Sequence, residues 1–526
     1  MQIMLHSHFY ITVYTFMSRS LFKSVSLVSS MTFISRLLGF ARDLLAAQIF
    51  GVNAAVDAFY IAFKIPNFMR NLFAEGSFSQ AFVPVLSEYH TTKSADEVRV
   101  FIRHMSYSLG LALLLITILG IVFAPYVIEF FAPGLDPYRY HLATYMLRIT
   151  FPYLMLISLT AFAGSILNTY GRFGLPAFTP ALLNISLIAT ALCMTQFFTV
   201  PVISQAWGVL IAGFVQLFFQ LAGLYRIGFL VKPVFNWNDS GVRRVLKLIV
   251  PAVFGASMGQ LSILLNTILA SFLITGSVSW LYYSERLAYF PLGIFGVALA
   301  VVILPHLSRQ HAKASVDGFS ASLCWGLRWN IIIGAPASIT MLMLSGPLII
   351  SLFDYGKFTV NDVLMTQKSV ITYGIGLQAF MLAKILSSAF YAKQDLRTPV
   401  KIAFYSLTLN MLFSLIFIWP LAHAGLALSS SLSSWVNVIT LWIVLYRRGI
   451  FTTMEHWGRF ALRILGANGV LAVYLHVMSD PLSQWLHWHW PQRLAHIVFL
   501  GLSAVLVYAF CLWVSGTFKQ AKVSTR

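Results

Sequence analysis

Apolar runs long enough to cross a bilayer recur along the chain, each followed by a short polar connection. The pattern predicts an all-α polytopic membrane protein of about fourteen transmembrane helices. No stretch is long and polar enough to form a soluble catalytic domain. Residues 1–20 read as an extension ahead of the first span. They lack the small-residue cleavage site of a signal peptide, and Met17 is an alternative start.

The polar connections divide into two sets. One is rich in cations: Lys93, Arg99 and Arg103, then Arg172, Arg226, Arg243, Arg244, Arg309, Lys313, Arg397, Arg447 and Arg448. The alternate set holds only Arg139, Lys357 and Arg493. Both termini belong with the basic set, so the positive-inside rule places the ends and the basic loops in the cytoplasm. The tract "WLHWHWPQR" (Trp485 to Arg493) then lies outside, where its tryptophans suit an interfacial belt. His487 and His489 read as part of that belt rather than as metal ligands.

Segments of the two halves resemble one another. "AFVPVLSEY" at Ala81 matches "VILPHLSRQ" at Val302, and "APYVIEFFAPG" at Ala124 matches "GPLIISLFDYG" at Gly346. "SILNTYGRFGLPA" at Ser165 matches "SAFYAKQDLRTPV" at Ser388, and "GLYRIGF" at Gly223 matches "VLYRRGIF" at Val444. The offset stays near ~221 residues, as a duplication requires. Two six-helix lobes follow, 21–230 and 240–452. Because each has an even number of spans, they share one orientation about a two-fold axis along the membrane normal. Two extra C-terminal helices and a cytoplasmic tail occupy 455–526. Such paired bundles suit an alternating-access transporter with its site between the lobes.

Composition narrows the class. Hydrophobic residues fill 59% of 526 positions and charged ones 10%, too few to solvate the surface of a soluble protein this long. The net charge of +19 lies mostly in one set of loops, which a membrane explains and nucleic acid does not. Cys193, Cys324 and Cys511 are far apart in apolar sequence, without metal or redox spacing, and read as packing residues.

Against that background the charges inside the spans stand out. An arginine at mid-span costs about 3 kcal/mol unless it meets water, a partner or the interface. "SSMTFISRLLGFARDLLAAQIFG" contains Arg36, Arg42 and Asp43. The next span contains Asp57, Lys64, Arg70 and Glu75, and the eighth contains Glu285 and Arg286. At 100° per residue Asp57, Lys64 and Glu75 share one face, an expected inward polar stripe. Arg36 and Arg42 lie about 240° apart, so aiming both at one point calls for a bend or unwinding at Gly39. Bracing ion pairs, such as Arg42 with Asp43, are the alternative use of these charges. Lys384 in the tenth span is left without a role. Guanidinium is permanently charged and matches phosphate oxygens as a planar fork, so arginines lining a cavity favour a phosphate or diphosphate cargo.

"SRLLGFARD" (Ser35 to Asp43), "DAFYIAFKIPNFMRNLFAEGSFSQAFVPVL" (Asp57 to Leu86), "NTYGRFGLPAFTPALLNI" (Asn168 to Ile185), "TGSVSWLYYSERL" (Thr275 to Leu287) and "FYAKQDLRTPVKIA" (Phe390 to Ala403) closely resemble the MurJ/MviN lipid II flippase family of the multidrug/oligosaccharidyl-lipid/polysaccharide (MOP) exporter superfamily. The resemblance runs from about Met17 to the final helix. It implies that the chain moves lipid II, the undecaprenyl-diphosphate-linked peptidoglycan precursor, from the inner to the outer leaflet of the bacterial cytoplasmic membrane. It also implies that Arg36, Arg42, Arg70 and Arg286 bind that substrate, with Asp43, Asp57, Lys64, Glu75 and Glu285 supporting the cavity. Helices 13 and 14 would hold the lipid tail. Asn71 departs from the family, where a second arginine is common, and so does Tyr289, where some members have an acid.

The implied partners are lipid II, membrane lipids and cell-wall synthesis proteins, without nucleic acid. No cofactor or enzymatic step is implied. The drive is left between a coupling ion, Na+ or H+, and the membrane potential, and no metal ligands are assigned. Two other cargoes remain open within the superfamily: another polyprenyl-diphosphate glycan, or a drug exported against a cation. A membrane glycosyltransferase would need a paired-carboxylate or metal site, and the sequence shows no such constellation.

Overall fold

The computed structural model describes residues 27–71, 78–236, 238–451 and 457–517, and among them the regular elements are all helical. The chain opens with α1 (27–50), α2 (Ala54–Arg70) and α3 (Ser79–Thr92). There follow α4 (Ala95–Val122), α5 (Ala124–Phe131), α6 (Pro137–Thr150), α7 (Pro152–Thr169), α8 (Gly174–Cys193) and α9 (Ile203–Arg226). The second half comprises α10 (Ser240–Ser271), α11 (Ser277–Pro291), α12 (Val297–Ala312), α13 (Val316–Met343), α14 (Ser345–Phe353), α15 (Val360–Ala392) and α16 (Arg397–Arg447). Last come α17 (Trp457–Met478), α18 (Leu482–His487) and α19 (Trp490–Val514).

Nine helical runs among the described residues are long and apolar enough to cross a membrane, or up to ten when the α13–α14 pair, bent by 74°, is taken as one span. The expectation of about fourteen is not fixed by this count. α16 joins two helical limbs at Ala422, whose φ of 48° and ψ of −127° are not helical, and α2 is only 17 residues long.

Two compact units result. Unit 1 takes Met1–Ile49, Ala58–Phe131 and Leu135–Gln260, and unit 2 takes Phe50–Asp57, Ala132–Gly134 and Leu261–Arg526. In unit 1, Phe82, Phe101, Phe162, Ile166, Leu224 and Val245 bring α3, α4, α7, α9 and α10 onto one core. In unit 2, Ile303, Leu327, Ile385, Phe390 and Leu441 do the same for α12, α13, α15 and α16, with α15 packed against α11 to α14 as well as α16.

The internal repeat is visible in how the helices end. Ser94 caps α4 by accepting from the Glu97 amide, and Ser315 caps α13 by accepting from the Gly318 amide. Asp136 caps α6 through the Arg139 amide as Thr359 caps α15 through the Asp362 amide. α7 ends with Gly171 at φ 73° and the Arg172 amide returning to the Leu167 carbonyl; α15 ends with Gln394 at φ 60° and the Asp395 amide returning to Phe390. Gly228 and Gly449 close α9 and α16 with the same two-bond turn. A left-handed residue at a helix end favours glycine, so Gln394 bears strain that Gly171 avoids.

Candidate functional site

α1 carries the first two arginines differently. It is unbroken through Gly39, so the expected unwinding there does not occur. A Cβ on Gly39 would lie 3.4 Å from Asn184 Nδ2, so this glycine lets α8 approach α1 instead. Arg42 is buried. Its Nε and Nη2 donate to Asp43 Oδ1 (3.0 and 2.6 Å), and its Nη1 donates to Asn184 Oδ1 (3.1 Å). Asn184 Nδ2 in turn donates to the Ser35 carbonyl (3.0 Å). Arg42 and Asp43 therefore offset each other's charge, and Asn184 holds the guanidinium's direction. Arg36 is exposed.

Arg70 is half-buried in the last turn of α2, where a cation favours the helix dipole, and it borders a polar pocket with Ser79, Asn168 and Gln216. Lys64 is half-buried, while Glu75 lies outside the described residues. Asp57 departs from the expected stripe. It is fully buried and accepts from the Gly276 amide (2.6 Å), the Ser279 amide (2.9 Å) and Ser279 Oγ (2.6 Å). The N-cap of α11 is Gly276 (φ 98°), which has no side chain to cap it, so Asp57 supplies the cap from a distant part of the chain. Asp57 is committed to those amides and braces a helix.

In unit 2, Arg286 is exposed and lies back on Tyr282 one turn earlier, with its Nη2 donating to the phenol (3.1 Å) and its guanidinium 5.0 Å from the ring centre. Glu285 is half-buried and accepts from the Tyr373 hydroxyl (3.2 Å). Lys384 is exposed. Of the four arginines, Arg36, Arg42 and Arg70 belong to unit 1 and Arg286 to unit 2. Among the described residues no three His, Cys, Asp or Glu side chains gather as a metal-binding group.

Three features escaped the sequence. Asn184, Gln216 and Gln220 are amides within apolar helices, and their only signal is that polarity. Arg328, in the middle of α13, lies 5.6 Å from the Trp457 ring and 5.8 Å from Phe460, tying α17 to its lobe. The tract from Trp485 to Arg493 also differs from expectation. Trp485 is fully buried against Trp488 and His496 rather than lying in a belt, and His489 begins α19 in a capping box with Gln492. Trp490 is exposed. Cys324 packs inside as expected, but Cys193 is exposed.

Apolar helical runs of spanning length, gathered in two compact units, define a polytopic membrane protein. Among solved structures the chain is similar to a lipid II flippase MurJ in an inward closed conformation, with a TM-score of 0.78 at 28% identity over 93% of this chain and 98% of that one. It also shares its fold with an inward-facing multidrug resistance MATE transporter of the MOP superfamily (TM-score 0.67, 14% identity, 82% of this chain and 99% of that one). The family model for lipid II flippase MurJ matches residues 46–495, and the chain belongs to that family. It is 42% identical over 499 residues to the probable lipid II flippase MurJ of Buchnera aphidicola, covering 94% of this chain and 98% of that protein. To the lipid II flippase MurJ of Burkholderia cenocepacia it is 41% identical over 515 residues, covering 95% and 98%.

Proposed function

We propose that this protein is a lipid II flippase, carrying the undecaprenyl-diphosphate-linked precursor of peptidoglycan from the inner to the outer leaflet by alternating access. The observation that carries this is likeness over nearly the whole chain to proteins described as lipid II flippases, at 41–42% identity. The chemistry agrees. A diphosphate bears about two negative charges and many acceptor oxygens. Arg36 and Arg286 are exposed guanidiniums, and Arg70 borders a polar pocket.

In this cycle the arginines take the diphosphate from the cytoplasmic leaflet while the polyprenyl tail stays in lipid, with α17 and α19 as its groove. No covalent bond is made or broken. Both termini face the cytoplasm of the inner membrane, and the membrane potential or an ion gradient drives turnover. Cell-wall synthesis proteins deliver or consume the cargo. Depleting the protein in its native host and measuring which leaflet holds lipid II tests the proposal. Accumulation on the inner side is expected, and an unchanged distribution overturns it.

A further inference from the structure

Within unit 1 a groove of about 580 Å³ follows α4 from Ile102 to Leu114, walled by α7, α9 and the non-helical segment 229–233. Its lining is mainly apolar, and Leu111, Leu114 and Leu230 are exposed, so in a membrane its open side meets lipid. Gly110 lines it, and a Cβ there would meet nothing within 4 Å. The segment after α9 is laced to α4. The Val234 amide donates to the Arg103 carbonyl (3.3 Å), and Arg103 Nε donates to the Lys232 carbonyl (3.2 Å). The Tyr107 and Phe235 rings meet edge to face at 5.4 Å. Arg103 and Lys232 therefore adjoin at the end of the groove marked by Ile102. Arg99 stands one turn before Arg103, 5.7 Å from the Phe229 ring centre, but it is paired with Asp96 (2.9 Å).

The internal repeat shows what the same surface looks like when filled. At the ~221-residue offset, Tyr107, Leu221 and Leu230, which all line the groove, correspond to Arg328, Trp442 and Phe451 of unit 2. Those three receive Trp457 of α17, whose ring lies 5.6 Å from the Arg328 guanidinium, 5.6 Å from Trp442 and 6.2 Å from Phe451. In unit 1 the helix after α9 is α10, which packs on Phe101 instead, and no described residue of α10 lines the groove. The charges differ as well. Arg99 and Arg103 correspond to Ser320 and Cys324, both buried, so the repeat does not itself require cations there.

Unit 1 thus leaves open a seat that unit 2 fills, and sets cations at its end. We propose that this groove binds an anionic phospholipid, with one acyl chain along α4 and the phosphate against Arg103 and Lys232. The site lies beyond the cargo reading and does not depend on it. A second apolar helix like α17 would fit the walls but offer the two cations no counter-charge, so the charge pattern favours the lipid.

The test titrates the purified full-length protein, by native mass spectrometry, with phosphatidylglycerol and with phosphatidylcholine of the same acyl chains. Wild type should hold phosphatidylglycerol at least about fivefold more tightly. Arg103→Gln leaves the groove open, so it should weaken phosphatidylglycerol about fivefold and leave phosphatidylcholine as it was. Gly110→Phe keeps every cation and starts its side chain in open space, so the protein should melt as wild type while phosphatidylglycerol falls to the level of phosphatidylcholine. Wild type that does not distinguish the two lipids overturns the site. So does a preference that survives Gly110→Phe, the result for diffuse surface charge. A photoreactive side chain at Leu114 should attach to phospholipid in native membranes; attachment to protein in its place makes the groove a helix-docking face and overturns the lipid assignment.

Discussion

Arg36 and Arg42 lie less than two turns apart on α1, yet one is exposed and the other is held among Asp43 and Asn184. Their substitutions should separate accordingly. Arg36→Ala removes a cation that supports no buried group, so the protein should insert and melt as wild type while lipid II flipping falls at least about tenfold in a reconstituted assay. Flipping retained at wild-type rate would remove Arg36 from the site. Arg42→Ala takes the guanidinium away from the buried Asp43 carboxylate and should cost about 3–5 kcal/mol, seen as a lowered melting temperature in detergent. The sequence showed both arginines and named the Arg42–Asp43 pair as one alternative. It could not show Asn184, because an amide in an apolar helix announces polarity but not its partner. Asp57 was hidden for the same reason: its partners on α11 lie more than 200 residues along the chain.

Helix ends explain why the repeat was legible and where the two halves diverge. Capping demands small polar residues at fixed positions, so Ser94 with Ser315, and Gly228 with Gly449, keep the alignment readable. Side chains beyond the caps are free to change sign: Arg172 in one repeat is Asp395 in the other. Asp395 there accepts from the Thr398 hydroxyl (2.6 Å) and from Arg448 Nη1 (2.7 Å), clamping the start of α16 to its end. Those bonds hold its carboxyl at about 2, below the usual 3.8. A depressed folded-state value means the clamp stabilises fully above about pH 4 and is lost as pH falls through 2. In Asp395→Asn the fall in melting temperature between pH 5 and pH 2 should be shallower than in wild type. Elsewhere in unit 2, Arg493 of α19 meets Asp354 (3.1 Å) and the carbonyls of Asp354 and Leu486, nearly all out of water. Arg493→Leu leaves that aspartate alone and should cost about 3 kcal/mol in the detergent melt, loosening α19 from α14.

For the whole molecule, the scarcity of charge in so apolar a chain made the membrane class readable at once, whereas the number of spans was not. Hydropathy marks helices that face lipid on most sides, and it weakens where charges or kinks interrupt them, as in α1 and α16. One charge moved through 100 mV is worth about 2.3 kcal/mol, close to fifty-fold in an equilibrium constant. A diphosphate carrying about two negative charges is driven outward by an inside-negative potential. In the proposed cycle the emptied, arginine-bearing protein would be driven the opposite way, so a potential alone would favour both halves. In proteoliposomes with a potassium-diffusion potential, the initial rate of lipid II arrival in the outer leaflet should rise with inside-negative voltage. It should fall several-fold when the potential is collapsed at constant pH and sodium. Arg36→Ala should flatten that dependence along with the rate. A rate indifferent to voltage that tracks an imposed Na+ or H+ gradient would instead assign the work to a coupling ion.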